Sequence, residues 1–215
     1  MKLVIGQVAA ALACLVASAQ PAAAHAPEWS AELLIGDAFN LTSRTHIHHA
    51  QTSAAAFGGD YETRGFEGPL HYAWRLTRWT QDRGWELQLL HHKLYLRNRP
   101  QGVEALSVSH GFNIVTLGRA YALDPWRFRV GLGPVIAHPE ARIGGVTYGG
   151  GYELAGAAAI GSVGATFEVA PHWSIVGEIA ATFGYADVHP SGEPDLRFSV
   201  RNPAIHAQLG FGYRF

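Results

Sequence analysis

The sequence predicts an all-β chain: an eight-stranded antiparallel up-and-down transmembrane β-barrel of the outer membrane. Three observations predict it. Runs of ten or so residues alternate apolar and polar side chains with period two, the signature of strands with one face in lipid. The connections between these runs alternate between short and long. The last run, "IHAQLGFGYRF", sets Ile205, Ala207, Leu209, Phe211, Tyr213 and Phe215 against His206, Gln208, Gly210, Gly212 and Arg214, and ends in an aromatic residue.

Taken in order, "MKLVIGQVAAALACLVASAQPAAAHA" has a basic start at Lys2, an apolar run and small residues at its end. It is expected to be a secretory signal peptide over residues 1–24, cleaved after Ala24, leaving a barrel domain over 25–215. Cys14 is the only cysteine and falls inside that segment. The mature chain therefore has no means of building a disulfide framework or a thiolate zinc site.

About eight runs follow, near 31–43, 69–79, 85–97, 103–121, 126–138, 155–169, 173–186 and 199–215. "TQDRG", "ALDP" and "APH" read as short periplasmic turns, whereas 44–68, 139–154 and 187–198 read as long external connections. Both termini are then periplasmic. An even strand count closes the sheet and leaves no edge, as lipid requires. The lipid-facing set is Tyr72, Trp74, Leu76, Trp85, Leu87, Leu89, Trp126, Phe128, Val130, Leu132, Trp173, Ile175, Ile179, Leu209, Phe211 and Tyr213. Trp79, Trp85, Trp126 and Trp173 fall at the short turns, where an aromatic girdle belongs.

"GWELQLLHHKLYL" departs from this pattern. Strict alternation would send His91, Lys93 and Tyr95 to the lipid with Leu87 and Leu89, and Lys93 is the only lysine beyond residue 2. A lysine facing hydrocarbon near the midplane costs about 2–4 kcal/mol, less near the interface. A one-residue bulge near Leu90 would avoid that cost. It would turn Glu86, Gln88, His91, Lys93 and Tyr95 inward, and Leu94 and Leu96 outward. Lysine snorkelling to the headgroups is the alternative. Further inward candidates are Ser107, Ser109 and Asn113, then His138 with Glu140, and Glu178, His206, Gln208, Arg75, Arg127 and Arg129. His110 lies on the opposite parity, beside a glycine.

The expected polar cluster sits toward the outer leaflet. His91, His138 and Glu140 form a two-histidine, one-carboxylate set suited to a borderline divalent metal of unknown identity. Lys93 or Arg142 suits phosphate. A packed interior plug of ion pairs would use the same residues with no activity. A serine hydrolase would need Ser109 and His110 on one side, and adjacent strand residues point to opposite faces. His46, His48 and His49 in "HIHHAQ" form a separate cluster in or near the first long connection. No flavin or nicotinamide motif is present. The near-neutral charge of −1, without a basic patch, argues against nucleic acid as a partner.

The run from "GWELQLLHHKLYL" through "VSHGFNIVTLGRAY" and "RVGLGPVIAHPEARI" to "HWSIVGEIAATFGYADV" and "GFGYRF" resembles the lipid A oxidase-like outer-membrane proteins of alphaproteobacteria. That resemblance implies a Gram-negative outer membrane and oxidation of the proximal glucosamine of lipid A to 2-aminogluconate by molecular oxygen. It implies a divalent metal and lipopolysaccharide as the partner; the sequence does not give the oligomeric state, and a monomer is the expectation. His91, Lys93, His110, Asn113 and Glu178 would carry catalysis, with His138 and Glu140 beside them. The histidine- and alanine-rich "SRTHIHHAQTSAAAFGGDYETRG" departs from the family pattern. A structural or adhesive barrel and a lipid A deacylase are the alternative functions.

Overall fold

Alternating β-branched and aromatic residues, punctuated by glycine and short turns, give strands throughout. The computed structural model describes residues 28–49, 52–190 and 196–215, and none of them is helical. The expected leader, 1–24, lies outside the described residues. The strands are β1 (Glu28–Asn40), β2 (Ser43–His49), β3 (Thr52–Gly59), β4 (Tyr61–Glu62), β5 (Tyr72–Thr80), β6 (Arg83–Leu96) and β7 (Val103–Leu123). They continue as β8 (Trp126–Ala137), β9 (Glu140–Ile143), β10 (Val146–Gly149), β11 (Glu153–Ala170), β12 (Trp173–Val188) and β13 (Arg197–Arg214).

Eight long strands close a ring. β1 pairs β5, and pairing continues through β6, β7, β8, β11, β12 and β13, which returns to β1; every pair is antiparallel. The chain is an eight-stranded up-and-down barrel of the outer-membrane type. Its short turns and both described chain ends share one rim. The other rim carries the long connections, which hold more structure than the sequence suggests. β2 and β3 form a hairpin docked on the upper end of β13. β9 and β10 form another, β9 continuing β8 upward along the first residues of β7, with Gly144 and Gly145 at φ 58° and 81° supplying the left-handed two-residue turn. β4 fills the gap between β1 and β6 above the start of β5.

The wall is inverted relative to a water-soluble protein. Outside, Leu33, Trp74, Trp85, Leu87, Leu117, Trp126, Leu132, Ile179, Leu209 and Phe211 are exposed. The whole lipid-facing set named from the sequence lies on this face. On β12 the band runs from Trp173 to Tyr185 before Asp187 ends it. That is roughly 40 Å along the strand, or roughly 30 Å of height at a tilt near 40°. Such a band matches a membrane's hydrocarbon layer with its interfaces.

Inside, the lower half is charged. Arg75 forks onto Glu178 (2.7 and 2.8 Å) and reaches Glu32 (3.1 Å). Arg129 bonds Glu178 (2.9 Å), Glu32 (3.0 Å) and Glu86 (3.0 Å), and Thr77 donates to Glu86 (2.8 Å). The plug is thus three carboxylates bound by two guanidiniums. Arg127 is half-buried below it. Trp79 departs from the girdle expectation. It follows Ala73, Arg75 and Thr77 to the lumen, is buried, and donates its indole N–H to Ser30 (2.8 Å), closing the lower end.

The upper lumen is apolar. Leu94, Leu96, Leu106, Val108, Phe198, Val200, Val188, Ile47 and Tyr61 are buried there. This follows from solvent: toward the outer interface and above it the wall's outer face meets headgroups and water, so the usual apolar-inside rule returns.

A candidate site on the outer wall

The register of β6 overturns the bulge expected near Leu90. β6 pairs β5 without interruption from Arg83↔Thr80 to His91↔Tyr72. Glu86, Gln88, Leu90, His92, Leu94 and Leu96 therefore face inward in strict alternation. His91, Lys93 and Tyr95 share the outer face with Leu87 and Leu89. The irregularity lies on the partner strand. His92 pairs Phe112 but Leu94 pairs Val108, so β7 carries extra chain at Ser109–Gly111. Gly111 sits at φ 136° within it, a conformation that favours glycine.

Lys93 escapes the lipid by another route. Between β4 and β5 the chain detours over the outside of the barrel through residues 64–70, with Thr63 and His71 turned inward at its ends. The Lys93 ammonium donates to the carbonyls of Arg64 and Glu67, both at 2.7 Å, and is fully buried under them. From the other side Asp37 on β1 accepts the Gly65 amide (3.1 Å). The His71 amide donates to the Gly65 carbonyl (2.7 Å), and the Gly36 amide to the His71 carbonyl (3.2 Å). Irregular backbone on a lipid-facing wall must have its polar groups satisfied, and these contacts satisfy the Arg64 and Glu67 carbonyls and both groups of Gly65 and His71. Gly65 is required by space, since a Cβ there would lie 2.3 Å from the Gly36 carbonyl.

Beside this detour the outer wall forms a lateral groove of about 390 Å³ across β6, β7 and β8. Its apolar side is Pro69, Tyr72, Leu89, Val115 and Ile136; its polar side is His91, His110, Asn113 and Tyr152. His91 lies six residues above Trp85, roughly 15 Å higher at a tilt near 40°, which is the outer-leaflet half. Its Nδ1–H donates to Asn113 Oδ1 (2.7 Å), and its ring stacks on Tyr72 with centroids 5.1 Å apart. Its Nε2 is buried without a partner.

The β7 bulge presents His110 and Ser109 on the same outer side, contrary to the expectation from adjacent strand positions. Ser107, Ser109 and Asn113 likewise face out rather than in. His138 and Glu140 also lie outside, because Ala137 and Ala141 take the inward positions. The Ser109 hydroxyl donates to Glu140 Oε2 (2.6 Å), and Glu140 Oε1 lies 3.2 Å from His110 Nδ1. The His110 and His138 rings are 5.0 Å apart, and His138 packs edge-on to Tyr152 (5.1 Å). One ligand atom from each of His110, His138 and Glu140 lies within 4.8 Å of the others.

The polar residues named from the sequence thus divide. His91 and Asn113 form one hydrogen-bonded pair in the groove, while His110, His138 and Glu140 form a cluster beside it. The three potential ligands that come together include His110 where the sequence suggested His91. Lys93 is engaged by the detour, and Arg142 pairs with Glu104 (2.8 Å). Glu178 lies in the luminal plug, apart from the wall. His46 and His48 face a second cleft of about 400 Å³ with Arg44, Arg197 and Arg201, on another side of the rim. His49 is buried against Tyr148. Tyr152 and the detour residue Pro69 were missed, since both reach the groove from connections whose placement no local pattern encodes.

The fold and wall define a transmembrane β-barrel with a polar groove on its lipid-facing side. No family model matches the chain, and no curated protein matches it. Among solved structures it is similar to Ail of Yersinia pestis (14% identity, 87% of this chain and 99% of that one, TM-score 0.40). It is also similar to the outer membrane protein AlkL (12%, 92% and 94%, TM-score 0.49). A further likeness is to OprG of Pseudomonas aeruginosa (13%, 88% and 95%, TM-score 0.47).

Proposed function

We propose that this barrel is a metal-dependent oxidase acting on lipid A in the outer leaflet of a Gram-negative outer membrane, through its outer wall. The carrying observation is the cluster of His110, His138 and Glu140 beside a groove that opens toward lipid. A membrane-embedded substrate can reach such a site by lateral diffusion. A luminal site would be closed to it by the plug and the apolar cap.

The donor set fits a divalent metal. Two imidazoles and a carboxylate are the ligands of oxygen-activating non-haem iron sites. The buried Nδ1 of His138 has no partner, as an atom reserved for a ligand would. Bound there, the metal would supply activation of dioxygen. Ser109 orients Glu140 by donating to its second oxygen. Asn113 fixes His91 with the proton on Nδ1, so the free Nε2 serves as a base for the substrate hydroxyl at C1. Leu89, Val115 and Ile136 receive the apolar part of the substrate. In balance, the C1 hemiacetal gives two electrons and two protons to dioxygen, forming hydrogen peroxide and a lactone. Water then opens the lactone to the 2-amino acid sugar.

A deacylase is the second reading, favoured by one contact: Ser109 Oγ lies 3.3 Å from His110 Nδ1. Glu140 faces that same ring nitrogen. A relay needs the base and its orienting carboxylate on opposite ring nitrogens, so this geometry supports the metal reading better.

The test is mass spectrometry of lipid A from a Gram-negative host whose lipid A has a free C1 hydroxyl, without the C1 phosphate, expressing the wild type, His138→Ala or His91→Gln. The wild type should add one oxygen atom to lipid A. Both variants should not, while still folding to heat-modifiable barrels. Loss of an acyl chain that depends on Ser109 would establish the deacylase instead. Unchanged lipid A with correctly inserted wild-type protein and added divalent metal would return the barrel to a structural or adhesive role.

A further inference from the structure

Among the described residues a second group of three potential ligands lies in the lumen, where the wall site does not reach. His71 precedes β5, His92 is on β6 and His206 is on β13, and none of the three has any exposed surface. The His71 and His206 rings stack at 5.2 Å, and His92 packs edge-on to both, at 5.5 and 5.0 Å. One ring nitrogen from each lies within 4.8 Å of the other two. Below them is the ion-pair plug; Phe112 borders them on another side, with its ring 6.1 Å from that of His92.

The neighbours fix which nitrogens are free. His92 Nε2 faces the side-chain carbonyls of Asn40 (2.9 Å) and Asn202 (3.1 Å), so it carries the proton. Those amides are themselves oriented: Asn202 donates to Asn40 Oδ1 (2.8 Å), and Asn40 donates to Thr63 (2.8 Å). His92 Nδ1 is therefore a bare lone pair, and it is buried without a partner. His206 Nε2 bonds the Thr182 hydroxyl (2.8 Å), leaving Nδ1 to face His71 Nε2 at 3.3 Å. That is long for a hydrogen bond. It is the separation expected of two nitrogens each about 2.0–2.1 Å from one tetrahedral zinc ion, roughly 3.3–3.4 Å.

We propose that His71, His92 and His206 bind a structural divalent transition metal ion, zinc by chemistry, inside the barrel. The asparagine pair and Thr182 hold the outer nitrogens of two ligands, as partners of metal-bound histidines do. Charge favours a cation here. Glu178 sits two residues below the His206 level on β12 and Asp37 lies near His71, so two carboxylates face the site against the single Lys93 ammonium. Burial makes the site closed, so the ion enters during folding and resists chelation afterward. Neutral imidazoles without thiolate or carboxylate suit zinc, and cobalt can report on the same geometry.

The experiment refolds the full mature barrel with zinc sulfate or with a chelator, then washes both with chelator and counts bound metal. The wild type refolded with zinc should keep one chelator-resistant ion and unfold at a higher temperature than its chelator-refolded counterpart. His138→Ala, which removes a ligand of the wall site, should keep that ion; His206→Gln should lose it. Cobalt refolding should give tetrahedral ligand-field absorption, with a trapped water as the fourth ligand, that disappears in His206→Gln and survives in His138→Ala. No chelator-resistant ion in the wild type would overturn the proposal, as would an ion that persists in folded His206→Gln. Should His206→Gln fail to fold, equal melting temperatures of zinc- and chelator-refolded wild type would overturn it instead. These outcomes are independent of lipid A chemistry, so either proposal can fail alone.

Discussion

Replacing Lys93 with methionine should release the detour from the barrel wall. The side chains are of similar length, but methionine cannot donate to the Arg64 and Glu67 carbonyls. Hydrogen bonds from a charged donor contribute about 1.5–3 kcal/mol each, so two contribute roughly 3–6 kcal/mol. Opening the wild-type detour also strips cover from an ammonium on a lipid-facing strand, a further cost of about 0–4 kcal/mol set by depth. The methionine variant bears neither cost on opening. Taking the hydrogen bonds alone, the opening equilibrium should shift roughly 10²- to 10⁴-fold, at about 1.4 kcal/mol per tenfold. Amide hydrogen exchange in detergent micelles reads this directly at Gly65, whose N–H bonds Asp37 of β1 across the docked detour. Exchange there should accelerate by at least about two orders of magnitude, with β11 and β12 unchanged. Lys93→Arg should recover part of the protection. Unchanged exchange at Gly65 in Lys93→Met would refute the anchoring role and return Lys93 to snorkelling.

Arg75→Met should destabilise the barrel by about 3–5 kcal/mol, because it leaves Glu178 and Glu32 buried with half their cation shell; the unfolding midpoint in denaturant, read by heat-modifiability, checks this. Adding Glu178→Gln to that variant should recover stability rather than lose more, and an additive loss would contradict the plug as one coupled network. Gly111→Ala should disturb the β7 bulge, since its Cβ would lie 2.2 Å from Asn113 Nδ2 at a φ of 136°. Its expected readout is a drop in lipid A modification with little change in barrel assembly.

The fold was legible because its information is local and repeated. Each long strand carries its own alternation, so Leu87, Phe128, Ile179 and Leu209 could be set on the lipid face one strand at a time. Trp79 could not, because an aromatic at a short turn fits either the girdle or the lower plug. What decides is Ser30, forty-nine positions away. Hidden strands in the long connections had weak signals. "ARIGGVTYG" has a Gly-Gly turn between alternating runs, whereas "THIHH" reads as polar loop. The candidate site was legible only in its residue types. Charge and imidazole in "LLHHKLYL" marked something unusual, and the cost of a lipid-facing lysine argued for a bulge. The actual solution is a detour from thirty positions earlier bringing two carbonyls to Lys93, and no local pattern announces it. The same holds for His71, His92 and His206, which meet from three separate stretches of chain.

The direction of that error bears on function. A polar residue inside a narrow barrel needs no special explanation, because packing and pairing can account for it, as the plug shows with Arg75, Arg129 and Glu178. A polar residue on the outer wall within the lipid band is different. Every one there forgoes hydration and lowers the gain from burial in hydrocarbon. Lys93 and Asp37 are accounted for by the detour they fasten. His91 and Asn113 fasten nothing of comparable extent; they bond each other, with His91 Nε2 left unpartnered, and His110, His138 and Glu140 adjoin them at the band's outer edge. A wall that needed only stability would place apolar residues at His91 and Asn113, as it does at Leu117, Val130 and Ile179. The retained polarity is therefore best explained by a ligand that approaches from the membrane side, and this shifts the weight of the functional argument from the barrel's interior to its outer face.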